Sequence, residues 1–221
     1  MPAFDMTYSE TEQDAIRRLA RWYTGDVHDV MDGHDCYGFL AGLSLQGGLP
    51  GNRAVCGPVS TVVYAPSSRR NQPQDVYHGA IDSITPGGIL LVDSSCAEGS
   101  GSGELMSTGA YKAGAAATVV NGTVRDLAEV RALDYPLFAR GVSPVGVSGR
   151  MEPAEAQVPI TIGNVTINPG DILMADLTGV VAIPRALLLD IAEAADRNGE
   201  AEARARDRIL AGEKLQSVWP V

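Results

Sequence analysis

Apolar residues recur with a helical period near the start of the chain, where Ile16, Leu19, Ala20 and Tyr23 form one stripe. That spacing predicts helix over 9–31. Thr24 reads there as a fresh N-cap, with Asp26 in the first turn, where the helix dipole favours an acid. From Cys36 to Gly57 the chain is rich in Gly and Leu and poor in charge, the composition of a buried, irregular passage. The pattern then changes. STVVYA (60–65) and GGILLVDSS (87–95) are β-branched or continuously apolar and read as strands, the second opened by Pro86-Gly87-Gly88. Gly99, Gly101 and Gly103 follow, then helical composition from Glu104 to Gly114, then a short apolar strand over 116–121. Strand, Gly-rich turn, helix and strand is the order of a βαβ unit.

After Pro136, PLFARG and the run from Val158 to Pro184 alternate strands with turn signals, notably Asn168-Pro169-Gly170-Asp171. Pro184 stands where a helix starts, and one long helix is predicted over 185–211, closed by Gly212. Leu187, Leu188, Ile191, Ala194 and Ala195 give its first half an apolar face. Its second half is polar, with Glu200–Arg204 and Glu202–Arg206 four residues apart. A polar helix that outruns its core is solvated or reaches a neighbouring subunit. The pattern predicts one α/β domain over 1–221. Its parts are N-terminal helices over 1–35, a β-rich core with the Gly-loop unit over 36–184, and a C-terminal helix over 185–212.

Composition narrows the class. The 221 residues suffice for one full hydrophobic core. Acids outnumber bases 27 to 17, a formal charge of −10, which repels phosphate backbones and argues against a nucleic-acid partner. No apolar run approaches the roughly 20 residues of a membrane helix, so no membrane partner is expected. The acidic N-terminus lacks the basic-then-apolar order of a signal peptide. Cys36, Cys56 and Cys96 are scattered without a CxxC, which points to a reducing, cytoplasmic setting.

Two motifs carry candidate chemistry. The Gly-rich turn offers backbone N–H groups at a positive helix end, suited to a carboxylate or phosphate. Its G-x-G-x-G spacing departs from the dinucleotide fingerprint, and Glu104 in the next place repels a pyrophosphate. A loop that merely caps the helix is the competing reading. The second motif, Asn121 to Asp126, ends a buried strand. Arg125 there is a fork for carboxylates and Asp126 a hard oxygen ligand suited to Mg²⁺ or Mn²⁺. One helix and one strand separate the motifs, so both face the same crevice. Other candidates are weaker. His28, His34 and Cys36 match no standard metal spacing, and Asp26, Asp29, Asp32 and Asp35 read as a solvated acidic face. Asp171 and Asp176 lie in a turn and at a strand end. Cys96 has no His close in sequence, and Lys112, inside a helix, gives no support to Schiff-base chemistry. Arg150, after a Gly-rich turn, is a candidate for a second substrate carboxylate.

The run GELMSTGAYKAGAAATVVNGTVRD, then YPLFARG, INPGDILMADLTGVVAIP and ILAGE, resembles the family of the regulator of ribonuclease activity A. That family includes class II pyruvate aldolases acting on 4-hydroxy-4-methyl-2-oxoglutarate and 4-carboxy-4-hydroxy-2-oxoadipate. The resemblance runs from about Thr24 to Gly212. The family's aldolases carry an acid, twenty residues, then Arg-Asp; here twenty residues separate Glu104 from Arg125, and Asp126 follows. The acid is usually Asp, so Glu104 departs from the pattern by one methylene.

The resemblance implies a swivelling β/β/α fold assembled as homotrimers or homohexamers, acting as a metal-dependent aldolase or lyase that yields pyruvate from a 2-oxo acid. Oxaloacetate decarboxylation is a companion activity. It further implies that Asp126 holds Mg²⁺ or Mn²⁺ largely through waters and that Arg125 binds the pyruvyl end. Gly103, Leu105 and Met106 supply backbone donors, Glu104 is the catalytic acid, and Glu202 of a neighbouring subunit, with Glu200 as the alternative, completes the site. Two other readings compete: a non-catalytic regulator that binds a ribonuclease, and a related lyase or tautomerase acting through an enolate on a sugar-acid derivative.

Overall fold

In a computed structural model of the chain, residues 6–219 are described. The first helix, α1 (Glu10–Leu19), begins at a reciprocal cap. Ser9 Oγ accepts the Glu12 N–H at 3.2 Å, and Glu12 Oε2 accepts the Ser9 N–H at 2.8 Å. The helix expected over 9–31 is interrupted at 20–23, and α2 (Thr24–Asp32) starts anew. Thr24 is its first helical residue and not its N-cap; that place falls to Tyr23, whose side chain makes no capping bond. The cap arrives from across the fold, because Asp176 accepts both the Thr24 N–H and its hydroxyl at 2.8 Å. The strand-end aspartate is thus structural.

The strands follow as β1 (Ser44–Leu45), β2 (Val55–Pro66), then, after α3 (Asp75–Asp82), β3 (Ile89–Asp93) and β4 (Ser100–Ser102). Next come α4 (Glu104–Ala113), β5 (Ala117–Val124), α5 (Leu127–Ala132) and β6 (Leu137–Val142). The chain continues as β7 (Met151–Ala156), β8 (Ile160–Ile162), β9 (Val165–Ile167), β10 (Ile172–Ala175) and β11 (Val180–Ile183). A single 3-10 turn over Arg185–Leu187 leads into α6 (Leu188–Leu210), and α7 (Leu215–Val218) closes the described chain. The main sheet runs β1-β6-β5-β3-β2-β10-β11, with β4 beside β5 and β7 beside β2. Strands β2, β3, β5 and β6 are parallel, while β10 and β11 are antiparallel. The passage after Cys36 has a definite task. Gly38 and Leu40 bond to β11 through Ala182 and Val180, and four residues later β1 pairs with β6. That short span bridges the two ends of the sheet and leaves it nearly closed.

Alternation along the strands sorts the core. Leu91, Val119, Phe138 and Leu173 point inward with Ile160, Ile162 and Ile167 from the β8–β9 hairpin. Leu90, Val92 and Val120 point outward onto Tyr77, Ile81 and Ala110 of α3 and α4. A third cluster joins Leu19, Met31, Ile191 and Ala195 of the terminal helices to Ile172, Met174 and Val181. The result is one α/β domain with helices at both ends. Its glycine loop differs from expectation: 100–102 is not an open turn but a buried strand, parallel to β5. Gly101 is required there because a Cβ would meet the Ser94 side chain at 2.2 Å.

Candidate active site

The βαβ step delivers its two motifs to one place. Gly114, in the left-handed conformation that ends α4, turns the chain back so that β5 runs beside β3. At the far end of β5, Asp126 takes φ 57°, a left-handed conformation that Asp tolerates better than most residues. Its Oδ2 accepts the Glu104 N–H at 3.2 Å and lies 3.3 Å from Arg125 Nε. Gly103 fits beneath this pair because it lacks a side chain, since a Cβ would meet Asp126 Oδ2 at 2.5 Å. Helix geometry leaves the N–H groups of Leu105 and Met106 without intrahelical acceptors, at the positive end of α4. The Leu105 side chain is exposed, and Met106 lines the adjoining cleft.

That cleft holds about 290 Å³. Arg125 is its charged wall. Asn71, Gln72 and Gln74 approach from the β2–α3 connection, Ser100 and Ser102 from β4, and Ser148 from the loop after β6. The guanidinium passes between two glycines, because a Cβ at Gly146 would also crowd it, at 3.2 Å from Nη1. A second hollow, of about 370 Å³, opens on the other side of Arg125 and Asp126 against Val142 and Pro144. Nothing local in the sequence marks Asn71 or Gln72. Asn71 also takes a left-handed φ of 58°, which its amide tolerates.

Glu104 is brought to the site, yet its side chain bends along α4, where Oε1 accepts the Thr108 hydroxyl at 3.1 Å. Glu202 is not brought there within the chain. It lies on α6 against α2, where burial and then the neighbouring Asp26 raise its carboxyl above the ordinary value. Asp26 is therefore not simply solvated. Among the described residues, no three His, Cys, Asp or Glu gather as a cation cage. His28 instead meets the Tyr37 ring edge-on. A cation at Asp126 would rest on one hard carboxylate and waters, a set suited to Mg²⁺ or Mn²⁺, which retain much of their hydration. Asp171 is structural, accepting the N–H groups of Asn168 and Arg185. Partial burial raises the Cys96 thiol, the opposite of nucleophile activation.

The RraA-like family, described as aldolase/RraA, matches residues 24–182. The chain belongs to this family. Both arms of the site, from Gly103 to Met106 and Arg125–Asp126, fall inside the aldolase/RraA match. The chain is 28% identical, over 98% of its length, to protein DlpA of Legionella pneumophila, and spans 35% of that relative. It is 29% identical to a protein of Halalkalibacterium halodurans named "putative 4-hydroxy-4-methyl-2-oxoglutarate aldolase", over 91% of both chains. Among solved structures, an uncharacterized protein from Pseudomonas syringae superposes with a TM-score of 0.84 at 27% identity, covering 96% of this chain and 99% of that one. Streptomyces coelicolor RraAS2, described as an unusual member of the RNase ES inhibitor RraA family, gives 0.77 at 24% identity over 90% and 99%, a likeness of fold. Among the described residues no helix is long and apolar enough to cross a membrane.

Proposed function

We propose that the protein is a divalent-metal-dependent aldolase that cleaves a 4-hydroxy-2-oxo acid to pyruvate, and that it decarboxylates oxaloacetate at the same site. The reading is carried by Arg125, which lines the cleft with Gly103 and Met106 of the N-terminal turn of α4, and by Asp126, which touches both Arg125 and the Glu104 N–H and faces the adjoining hollow. It is supported by the aldolase name of a relative that aligns over nearly the whole chain.

Arg125 and the N–H groups of Leu105 and Met106 bind the carboxylate and keto oxygens of the pyruvyl half, where negative charge develops. Asp126 and its waters hold Mg²⁺ or Mn²⁺, which supplies Lewis-acid charge when bound. Glu104 takes the proton of the C4 hydroxyl, for which its carboxylate leaves Thr108. The C4–O bond becomes a carbonyl as the C3–C4 pair passes toward the C2 keto oxygen, and reprotonation at C3 gives pyruvate. Glu202 reaches this site from a second copy of the chain in a homotrimer or homohexamer. A ribonuclease-binding regulator has no need of an acid, an Arg and an Asp gathered at one helix N-terminus beside a cleft, so the catalytic reading is preferred.

The test is pyruvate release, coupled to lactate dehydrogenase, from oxaloacetate and 4-hydroxy-4-methyl-2-oxoglutarate with Mg²⁺ and with EDTA. Mg²⁺-dependent release from either supports the reading. No release from either, with the folded protein at high concentration, moves the weight to the regulator.

A further inference from the structure

Gly146 stands where its own backbone does not call for glycine. The nearby Gly99 and Gly149 take φ of 151° and 74°, which L side chains rarely adopt, whereas the φ of Gly146 is not positive. Among the described residues beyond its chain neighbours, a Cβ at Gly146 would meet one atom within 4 Å, Arg125 Nη1 at 3.2 Å. The space that a side chain would take at this position is the space beside the guanidinium. Gly103 forms the opposite wall. It is extended at φ −159°, and a Cβ there would meet Arg125 Cγ at 3.1 Å and Nε at 3.3 Å, besides Asp126 Oδ2.

The Gly146 wall is anchored on several sides. Ser100 of β4 donates its N–H to the Val145 carbonyl at 2.8 Å and its hydroxyl to the Ser143 carbonyl. The Ser143 N–H donates to the Val124 carbonyl at 3.0 Å. Arg150 Nη1 donates to the carbonyls of Gly146 at 3.3 Å and Ser148 at 3.1 Å. A side chain at 146 would therefore be accommodated less by the loop than by Arg125, whose side chain is flexible and 48% exposed. Such a shift is cheap for the fold and costly for recognition. An Arg–carboxylate pair depends on the placement of its planar fork, and a binding constellation tolerates about 0.5 Å.

We infer that Gly146 is a positioning residue: its missing side chain, with Gly103 opposite, sets where the Arg125 fork meets the carboxylate of the 2-oxo acid. The inference rests on the aldolase reading and deepens it, since Gly146 acts through Arg125. Two consequences follow from the chemistry. The effect of filling the slot is the same for every 2-oxo acid, because the pyruvyl half is common to them. It falls on binding more than on turnover, because the carboxylate is held in the ground state and the transition state alike.

The experiment measures KM and kcat for oxaloacetate and 4-hydroxy-4-methyl-2-oxoglutarate in the parent protein, Gly146→Ala and Gly146→Val, and oxalate affinity by calorimetry with Mg²⁺. KM should rise about three- to tenfold in Gly146→Ala and further in Gly146→Val, by the same factor for both substrates. Oxalate affinity should weaken in step, with kcat within about twofold of the parent value. The thermal midpoint of Gly146→Ala should equal or exceed the parent's, because Ala restricts the unfolded chain; a merely structural role would lower it. In an Arg125→Lys background, where the fork is replaced by a point charge on a shorter stem, Gly146→Ala should leave KM unchanged. Unaltered KM and oxalate affinity in the folded Gly146 variants overturn the inference and leave the aldolase reading standing. So does a KM rise that persists in the Arg125→Lys background, which would assign the glycine to the loop. No pyruvate release by the parent protein from either substrate removes the aldolase reading and the inference with it.

Discussion

Asp126 accepts the backbone N–H of Glu104 at 3.2 Å, so the carboxylate that ends β5 also caps α4. Cap and proposed metal ligand are one group, and two substitutions separate them. Asp126→Ala removes both, costing about 1 kcal/mol of cap energy, or roughly 2–4 °C in Tm. Asp126→Asn keeps an oxygen to accept the N–H and should melt close to the parent protein. Both should lose Mg²⁺-dependent pyruvate release. Retained metal-dependent turnover in Asp126→Asn would remove Asp126 from the metal site.

Gly199 lies inside α6, where helix propensity alone favours Ala by about 1 kcal/mol. Tertiary contact reverses the sign. A Cβ at this position would meet Trp22 Cε3 at 2.2 Å. The ring is not free to retreat, because Trp22 Nε1 donates to Asp196 at 2.7 Å and Arg18 holds the other oxygen of that carboxylate. Gly199→Ala should therefore destabilise by about 1–3 kcal/mol. A rise in thermal midpoint would mean that α1 and α6 pack less closely.

The central βαβ unit was legible because its strands are continuous apolar runs and its helix ends at a glycine, signals that are local. What lay beyond the sequence was set by tertiary contact. Ser100–Ser102 has no strand propensity and becomes β4 only because glycine lets its backbone lie against Ser94 and β5. Thr24 has the chemistry of an N-cap, but Asp176, far along the chain, caps the helix instead. β7 hides in Met151–Ala156, where a proline and two glutamates mask an edge strand. Arg125 and Asp126 stand out as a motif, whereas Asn71 and Gln72 are ordinary loop residues until the fold brings them to the same cleft.

Acid stability should depend on Glu12. Its hydrogen bond from Arg185 Nε at 2.7 Å, with the Ser9 cap, lowers the carboxyl from 4.5 to about 2. A depressed carboxyl contributes stability that is present above about pH 4.5 and is lost as pH falls toward 2. Trimmed for partial exposure, the contribution is about 2 kcal/mol. Glu12→Gln should lower stability at pH 7 and flatten the pH dependence between 4.5 and 2 in denaturant titrations. Parallel curves for the two proteins over that range would show that the ion pair carries no linkage.

Glu202 should show the opposite sign. Burial and Asp26 raise its carboxyl, so its charge opposes folding at neutral pH, and that penalty fades as pH falls through the raised value. Glu202→Gln removes it, with an expected gain of about 0.5 kcal/mol, or roughly 1–2 °C at pH 7.5, shrinking toward zero near pH 4. An acid kept at a cost in stability fits a group with a task elsewhere, and the task proposed for Glu202 is proton handling at a neighbouring copy's Arg125 cleft. The same variant should then lose pyruvate release while gaining thermal stability. A more stable Glu202→Gln protein with full turnover would confine Glu202 to the α2–α6 contact and leave the proton to Glu104.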